Sequence, residues 1–387
     1  MGDGAAVRCR RYDGSGAVTV RFSSGRAAVV ADDASGDPEP LILAPLLLDL
    51  QLNGYGGTDF SRAETLTPER VRRLTRTMWT QGVGRFVPTI VTSSHEATLA
   101  SLRALAAAAA DPDLAGSIVG VHLEGPVISP RDGPRGAHPI EHVRAPSLRE
   151  LDAWQEAAGG LVRLVTLAPE VPGAIAFIGE LRARGVLVAI GHTDASAADI
   201  AAAVRAGARL STHLGNGTHA LLPRHPNHLW DQLADDALSA SLIVDGFHLG
   251  APVVKVMVRA KGAERCVLIT DAAPVAGLPP GRHTFAGAEV ESTPDGAIRL
   301  SGTPYLAGSA VTLPRAVANT VRFAGVGLAS AIAMASTQPA RLLEQHTRAA
   351  PRLLADDTFT LLRPQGDALE VAATVIDGVV RYRAPWL

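Results

Sequence analysis

Four side chains occupy equivalent places in this sequence. Glu124, His192, His213 and Asp271 each close or closely follow a short apolar run, at 118–123, 186–190, 208–211 and 266–269. Runs of that length and β-branching read as buried strands, and Gly125-Pro126 stops the one before it from continuing extended. A charged or polar group at the end of a buried strand is costly unless something compensates it. Two imidazoles and one carboxylate suit Zn2+ or a similar divalent ion. Three protein ligands leave a position open, where a metal lowers the pKa of a water from about 15.7 to roughly 7. A separate carboxylate is then needed to take the proton and pass it to a leaving group, and Asp271 is placed for that. His122, two residues before Glu124, lies on the same side of its strand by alternation. It reads either as a donor behind the ligands or as an alternative ligand.

The elements that must hold these groups alternate. Strands at 41–52, 85–91, 118–123, 162–167, 186–190, 208–212, 240–244 and 266–269 are separated by helical segments. Thr67 and Pro68 start one helix, with Val71, Leu74 and Met78 on one face. Ser147 and Glu150 have capping-box spacing at the start of another. Eight such units match an α/β fold of the (β/α)8 TIM-barrel type, whose chemistry gathers at the carboxyl ends of the strands. Alternation alone leaves a doubly wound open sheet as a competitor. Both chain ends are β-like, with Asp377-Gly378 as a hairpin signal. They are expected to pair into a small β-sandwich from 1–44 and 345–387, around a barrel at 45–344.

Composition narrows the function. The formal charge of −2, from 36 basic and 38 acidic residues, gives no footprint for nucleic acid. Cys9 and Cys266 make no disulfide framework and fit a reducing cytoplasm. Arg8, Arg10 and Arg11 precede no apolar stretch of the kind a signal peptide needs. No window of about 18 apolar residues exists, so no membrane span is expected.

The segments Gln51-Leu-Asn53-Gly, His122-Leu-Glu-Gly-Pro, Gly191-His192, Thr212-His213-Leu-x-Asn216, Asp245-Gly-x-His248, Thr270-Asp271-Ala and Leu306-Ala-Gly-Ser-Ala310 resemble those of N-acetylglucosamine-6-phosphate deacetylases of the amidohydrolase superfamily. They occur in the family's order and span most of the barrel. The resemblance implies a barrel with a two-ended β-sandwich. It implies metal ligation by Glu124, His192 and His213, general base and acid work by Asp271, and polarisation of the amide carbonyl by His138. It matches Asn216, Gly217 and Leu306 to substrate-binding positions. His248 and Arg224 match contacts to the sugar phosphate, Arg224 reaching over from the neighbouring subunit of a homodimer.

Many amidohydrolases bind a second metal through His-x-His on the first strand. Gln51 and Asn53 stand there instead, and neutral amides are poor Zn2+ ligands beside imidazole. One divalent ion is therefore expected: Zn2+, with Fe2+, Mn2+ or Co2+ as alternatives. The implied reaction is hydrolysis of N-acetylglucosamine 6-phosphate to glucosamine 6-phosphate and acetate. The alternative is a related amidohydrolase acting on an unphosphorylated or larger acetamido or cyclic amide substrate. That alternative draws on a departure from the family pattern. Where a large residue usually follows His213-Leu214, this chain has Gly215, which would open the pocket and loosen the loop. His219, His225 and His228 in the same loop read as solvated histidines.

Overall fold

The apolar run 41–52 is two strands. Ile42–Pro45 belongs to one sheet and Leu47–Leu52 to another, with Leu46 handing the chain across. The computed structural model describes residues 5–30, 40–303, 305–348 and 352–387. Residues 31–39 and 349–351, within the segments expected to form the small β-unit, lie outside the described residues.

The barrel strands are β1 (Leu47–Leu52), β2 (Val83–Val91), β3 (Val121–Glu124), β4 (Val162–Leu167), β5 (Leu187–Ile190), β6 (Leu210–Ser211), β7 (Ser239–Leu242) and β8 (Cys266–Leu268). They pair in parallel in that order. A parallel bridge between Leu52 and Ala272 joins the last strand to the first. The Asp271 N–H also donates to the Gln51 carbonyl at 2.9 Å. The sheet is thus a closed barrel and the open-sheet competitor falls away. Every residue of β1 and β2 is buried, because helices cover one face and the barrel interior the other. That burial is why these strands read as unbroken apolar runs.

The helices start where the sequence signals them. Thr67 Oγ1 accepts from Arg70 N, and Pro68–Thr80 buries Val71, Leu74 and Met78, each contributing roughly 1.5–3 kcal/mol. Ser147 caps Leu148–Ala157, but the second half of that capping box is not made. The Glu150 carboxylate accepts from Arg144 Nε at 3.0 Å instead. Near the end of the barrel the chain forms two short helices in succession, Leu328–Met334 and Thr337–His346.

The chain ends share one seven-stranded sheet that closes on itself through a parallel pairing of Arg10 with Ile42. The two faces of the small β-unit are opposite walls of that sheet, around Cys9, Val20, Phe22, Leu361 and Val375. It packs at the amino ends of the barrel strands, where Thr360 Oγ1 donates to Gly82 O at 3.1 Å and Thr374 Oγ1 to Trp79 O at 2.7 Å. A further antiparallel sheet of three strands, Gly281–Phe285, Ala288–Ser292 and Ile298–Leu300, interrupts the chain after β8. It was not expected from the sequence.

Candidate active site

Glu124 ends β3, His192 and His213 each stand two residues beyond β5 and β6, and Asp271 stands three beyond β8. All four are buried. Seven described non-glycine residues have positive φ, and three of them are His192 (51°), His213 (31°) and Asp271 (49°). Such backbone is disfavoured for residues with a Cβ and persists where surrounding structure enforces it. The enforcement is visible. The His213 N–H donates to Ser241 Oγ at 2.8 Å, and Ser241 Oγ donates on to Ser211 O at 3.2 Å. His192 Nδ1 sits 2.9 Å from the Pro134 carbonyl, which fixes Nε2 as the atom facing the cavity.

Three atoms converge there. Glu124 Oε1 lies 3.1 Å from His192 Nε2 and 2.9 Å from His213 Nε2, and the two nitrogens lie 3.1 Å apart. Tetrahedral ligands at roughly 2.1 Å from a common centre are about 3.4 Å from one another. The donor set therefore fits a divalent ion in both chemistry and spacing, and it is the one His/Cys/Asp/Glu cluster of this kind among the described residues. The electrostatics agree. Burial raises the Glu124 carboxyl, but its contacts with His192 and His213 outweigh that and hold it well below the usual range. Burial pulls His213 down, and Glu124 outweighs it to leave the imidazole above its ordinary value.

Asp271 faces the same cavity through two amides. Gln51 Nε2 donates to Glu124 Oε1 at 2.9 Å and to Asp271 Oδ1 at 3.2 Å, and Asn53 Nδ2 donates to Asp271 Oδ1 at 2.7 Å. The first-strand side thus presents N–H donors to both carboxylates. Burial and the charge of Glu124 push Asp271 up to about 6, toward the range in which a carboxylate can both take and return a proton.

His138 is brought to the cluster from the 131–139 loop. Its Nε2 is 3.2 Å from His192 Nε2, and its Nδ1 is 2.8 Å from Thr92 Oγ1. Burial pushes its pKa down to about 3, so the ring is neutral. His122 contacts none of the three ligand atoms. Its Nδ1 meets Thr89 Oγ1 at 3.2 Å and its Nε2 meets Thr166 Oγ1 at 2.7 Å, one layer below Glu124. Thr166 Oγ1 continues to Thr212 Oγ1 at 2.6 Å. Hydroxyls on β2, on β4 and just beyond β6 thus form a polar belt beneath the cavity, and burial keeps His122 neutral at about 4.

The loop after β6 covers the cluster. Asn216 Nδ2 donates to His213 O at 3.3 Å. A Cβ on Gly217 would lie 2.9 Å from His192 Nδ1, so only glycine lets the loop approach the ring this closely. Gly215 corrects an expectation. A Cβ there would meet Met257 Cε at 3.0 Å and Leu249 Cδ2 at 3.1 Å. The missing side chain would face packed protein, so its loss does not enlarge the pocket. His228 is also unlike the solvated residue expected. It is buried, with Nε2 2.8 Å from Thr218 Oγ1 and Nδ1 accepting from Gln232 Nε2 at 3.1 Å, and it anchors the loop. His219 is half-buried beside Asp194 at 3.2 Å, and His225 is exposed.

The remaining sequence candidates are less converged. His248 Nδ1 pairs with Asp245 Oδ2 at 2.6 Å. Arg224 is exposed on the loop and meets no hydrogen-bond or ion-pair partner among the described residues. Leu306 is half-buried and bridges to Arg299 beside the three-stranded sheet. Sequence reasoning missed Thr92, Ser241 and Asp49. Asp49 alone carried a signal, as a carboxylate inside the apolar run 46–52.

A closed parallel barrel with Glu, His, His and a separate Asp at its strand ends defines a metal-dependent amidohydrolase. No family model matches the chain. It is 37% identical over 372 residues to the N-acetylglucosamine-6-phosphate deacetylase of Bos taurus, covering 92% of this chain and 86% of the relative. The chain belongs to the N-acetylglucosamine-6-phosphate deacetylase family of the amidohydrolase superfamily. It is also 35% identical over 302 residues to an N-acetylgalactosamine-6-phosphate deacetylase of Escherichia coli O157:H7, covering 78% of each. Among solved structures, a mutant N-acetyl-D-glucosamine-6-phosphate deacetylase of Mycobacterium smegmatis, in complex with N-acetyl-D-glucosamine-6-phosphate, matches with a TM-score of 0.83 and 29% identity over 98% of this chain and 100% of that one. The Thermotoga maritima enzyme matches with a TM-score of 0.82 and 28% identity over 98% and 100%.

Proposed function

We propose that the protein hydrolyses the acetamide of N-acetylglucosamine 6-phosphate, releasing acetate and glucosamine 6-phosphate. The observation that carries this is the convergence of Glu124, His192 and His213 within 3.1 Å of one another, with Asp271 held beside them. These three residues would hold one divalent ion, Zn2+ in the first instance. When bound, it supplies Lewis acidity for the amide carbonyl and for water. Asp271 takes the proton of the attacking water and returns it to the departing amine. His138 is neutral, held at Nδ1 against Thr92 Oγ1, and stands beside the ligand cluster to polarise the amide carbonyl. Gln51 and Asn53 hold Asp271 through N–H donors, which supports a single-metal site. Asn216, Gly217 and Leu306 contact the sugar, and His248 with Arg224 binds the phosphate, for which the rigid fork of Arg is suited.

The deciding experiment couples elemental analysis to acetate release from acetamido sugars with and without a 6-phosphate. One divalent ion per chain and turnover that depends on the phosphate are expected; ammonia release or metal-free activity would overturn the reading. Asp271→Asn should keep its metal and lose about 10²–10⁴-fold in kcat.

The exposed Arg224 further supports a homodimer in which it serves the neighbouring site. Mixing Arg224→Ala with Asp271→Asn chains should then restore activity that neither shows alone, and light scattering should give the mass of two chains. We place the catalytic unit at 45–344 and the small unit at 1–44 with 345–387. We assign the protein to the cytoplasm, supported by two buried cysteines, Cys9 and Cys266, that form no disulfide. No helix among the described residues is long and apolar enough to cross a membrane.

A further inference from the structure

Asp49 is fully buried in the middle of β1, and the deacetylation chemistry does not use it. Its Oδ1 accepts the Thr270 N–H at 3.1 Å and the Gln51 N–H at 3.2 Å, and its Oδ2 accepts the Thr270 hydroxyl at 2.5 Å. The location gives these bonds their meaning. Every other neighbouring pair of barrel strands is joined by a ladder of two or more registered residues. β1 and the chain just beyond β8 share only one registered pair, the isolated Leu52–Ala272 bridge, with the Asp271 N–H on Gln51 O and the Asn53 N–H on Ala272 O beside it. The Asp49 side chain acts as a missing rung, taking one buried backbone N–H from each side of the seam. Without it both donors would be orphaned.

The groups directly above that rung are Gln51, Asn53 and Asp271. The Asp271 N–H donates to Gln51 O at 2.9 Å, and its carbonyl accepts from Ser309 N at 2.9 Å. Ser309 Oγ donates in turn to Thr270 O at 2.5 Å. Asp271 is therefore clamped from two sides in a left-handed conformation that it would not adopt freely.

We propose that Asp49 is a positioning residue for the deacetylation, fixing across the barrel seam the backbone from which Asp271 reaches its proton. The inference rests on Asp271 being the proton acceptor.

The test measures kcat, KM for N-acetylglucosamine 6-phosphate and metal content per folded chain in Asp49→Ala, Asp49→Asn, Thr270→Val and Asp271→Asn. Asp49→Ala should lose about tenfold to hundredfold in kcat, the size expected of a small misplacement, with KM and metal content kept. Asp49→Asn should restore kcat, because its remaining Oδ1 can still accept both N–H groups. Thr270→Val keeps both N–H bonds to Asp49 Oδ1 but loses the hydroxyl link to Oδ2 and the acceptor of the Ala272 N–H, and should fall between; it carries the test if Asp49→Ala does not fold. An unchanged kcat per folded, metal-loaded chain overturns the proposal, as does a loss that metal content shares equally. If Asp271→Asn keeps its kcat, the reading of Asp271 fails first. If Asp271→Asn is inactive while Asp49→Ala is fully active, the positioning claim alone fails.

Discussion

Asp49 weighs on stability as well as on placement. Burial pushes its carboxyl from an ordinary 3.8 to about 7, and the bonds from Thr270 and Gln51 only partly counter this. The unfolded chain releases that proton near 3.8 and the folded chain near 7. The contribution of the protonated group to folding is thus fully present below about pH 4 and is lost as the pH rises to about 7. Asp49→Asn has no proton to lose. Its denaturant midpoint should therefore gain on the wild type between about pH 4 and 7 and run parallel above that. Equal pH profiles for the two proteins would mean that the folded chain ionises Asp49 as readily as the unfolded one.

Between single residues and the barrel lies the polar belt, and Gly191 is its hinge point. It follows β5 and passes between Thr166 and Thr212, whose hydroxyls meet at 2.6 Å. A Cβ on Gly191 would lie 2.8 Å from Thr166 Cγ2 and 2.9 Å from Thr212 Cβ. Gly191→Ala must therefore push apart two strands in a layer with no slack, for about 1–3 kcal/mol of lost stability. His192 is the next residue, so metal retained after dialysis should fall together with the melting temperature. Retention at wild-type level would separate the belt from the ligands. The same element level explains what the sequence could tell. Continuous apolar runs ending in Glu124, His192, His213 and Asp271 were legible because parallel strands are buried on both faces and end at the site. The Arg10–Ile42 pairing that closes the end sheet was not, because strand partners far apart in sequence leave no local trace. The strands at 281–300 were missed because they bury little beyond Phe285, Val290 and Ile298. Gly215 misled for a related reason: sequence gives the absence of a side chain but not the direction in which it would have pointed.

Across the whole molecule the two ends of the barrel strands do different work. The ligand cluster ties β3, β5 and β6 together at the carboxyl ends, over a sequence span that no local element bridges. An ion bound only by the folded chain stabilises it by mass action, about 4 kcal/mol at a thousandfold excess over its dissociation constant. Chelation should therefore lower the melting temperature, and Zn2+ should restore it. At the amino ends, Leu46, Trp79 and Ile376 form the apolar contact between barrel and end sheet, and Trp79 Nε1 donates to Ser117 Oγ at 2.9 Å. Trp79→Ala removes that wedge and should destabilise the chain by about 3–5 kcal/mol, while kcat and metal content of the folded fraction stay at wild-type level. Because the two perturbations share no partner, their effects should add. The melting shift on chelation should then be the same in Trp79→Ala as in the wild type. A smaller shift in the variant would mean that the end sheet, although it supplies none of the ligands, helps to hold the metal site in shape.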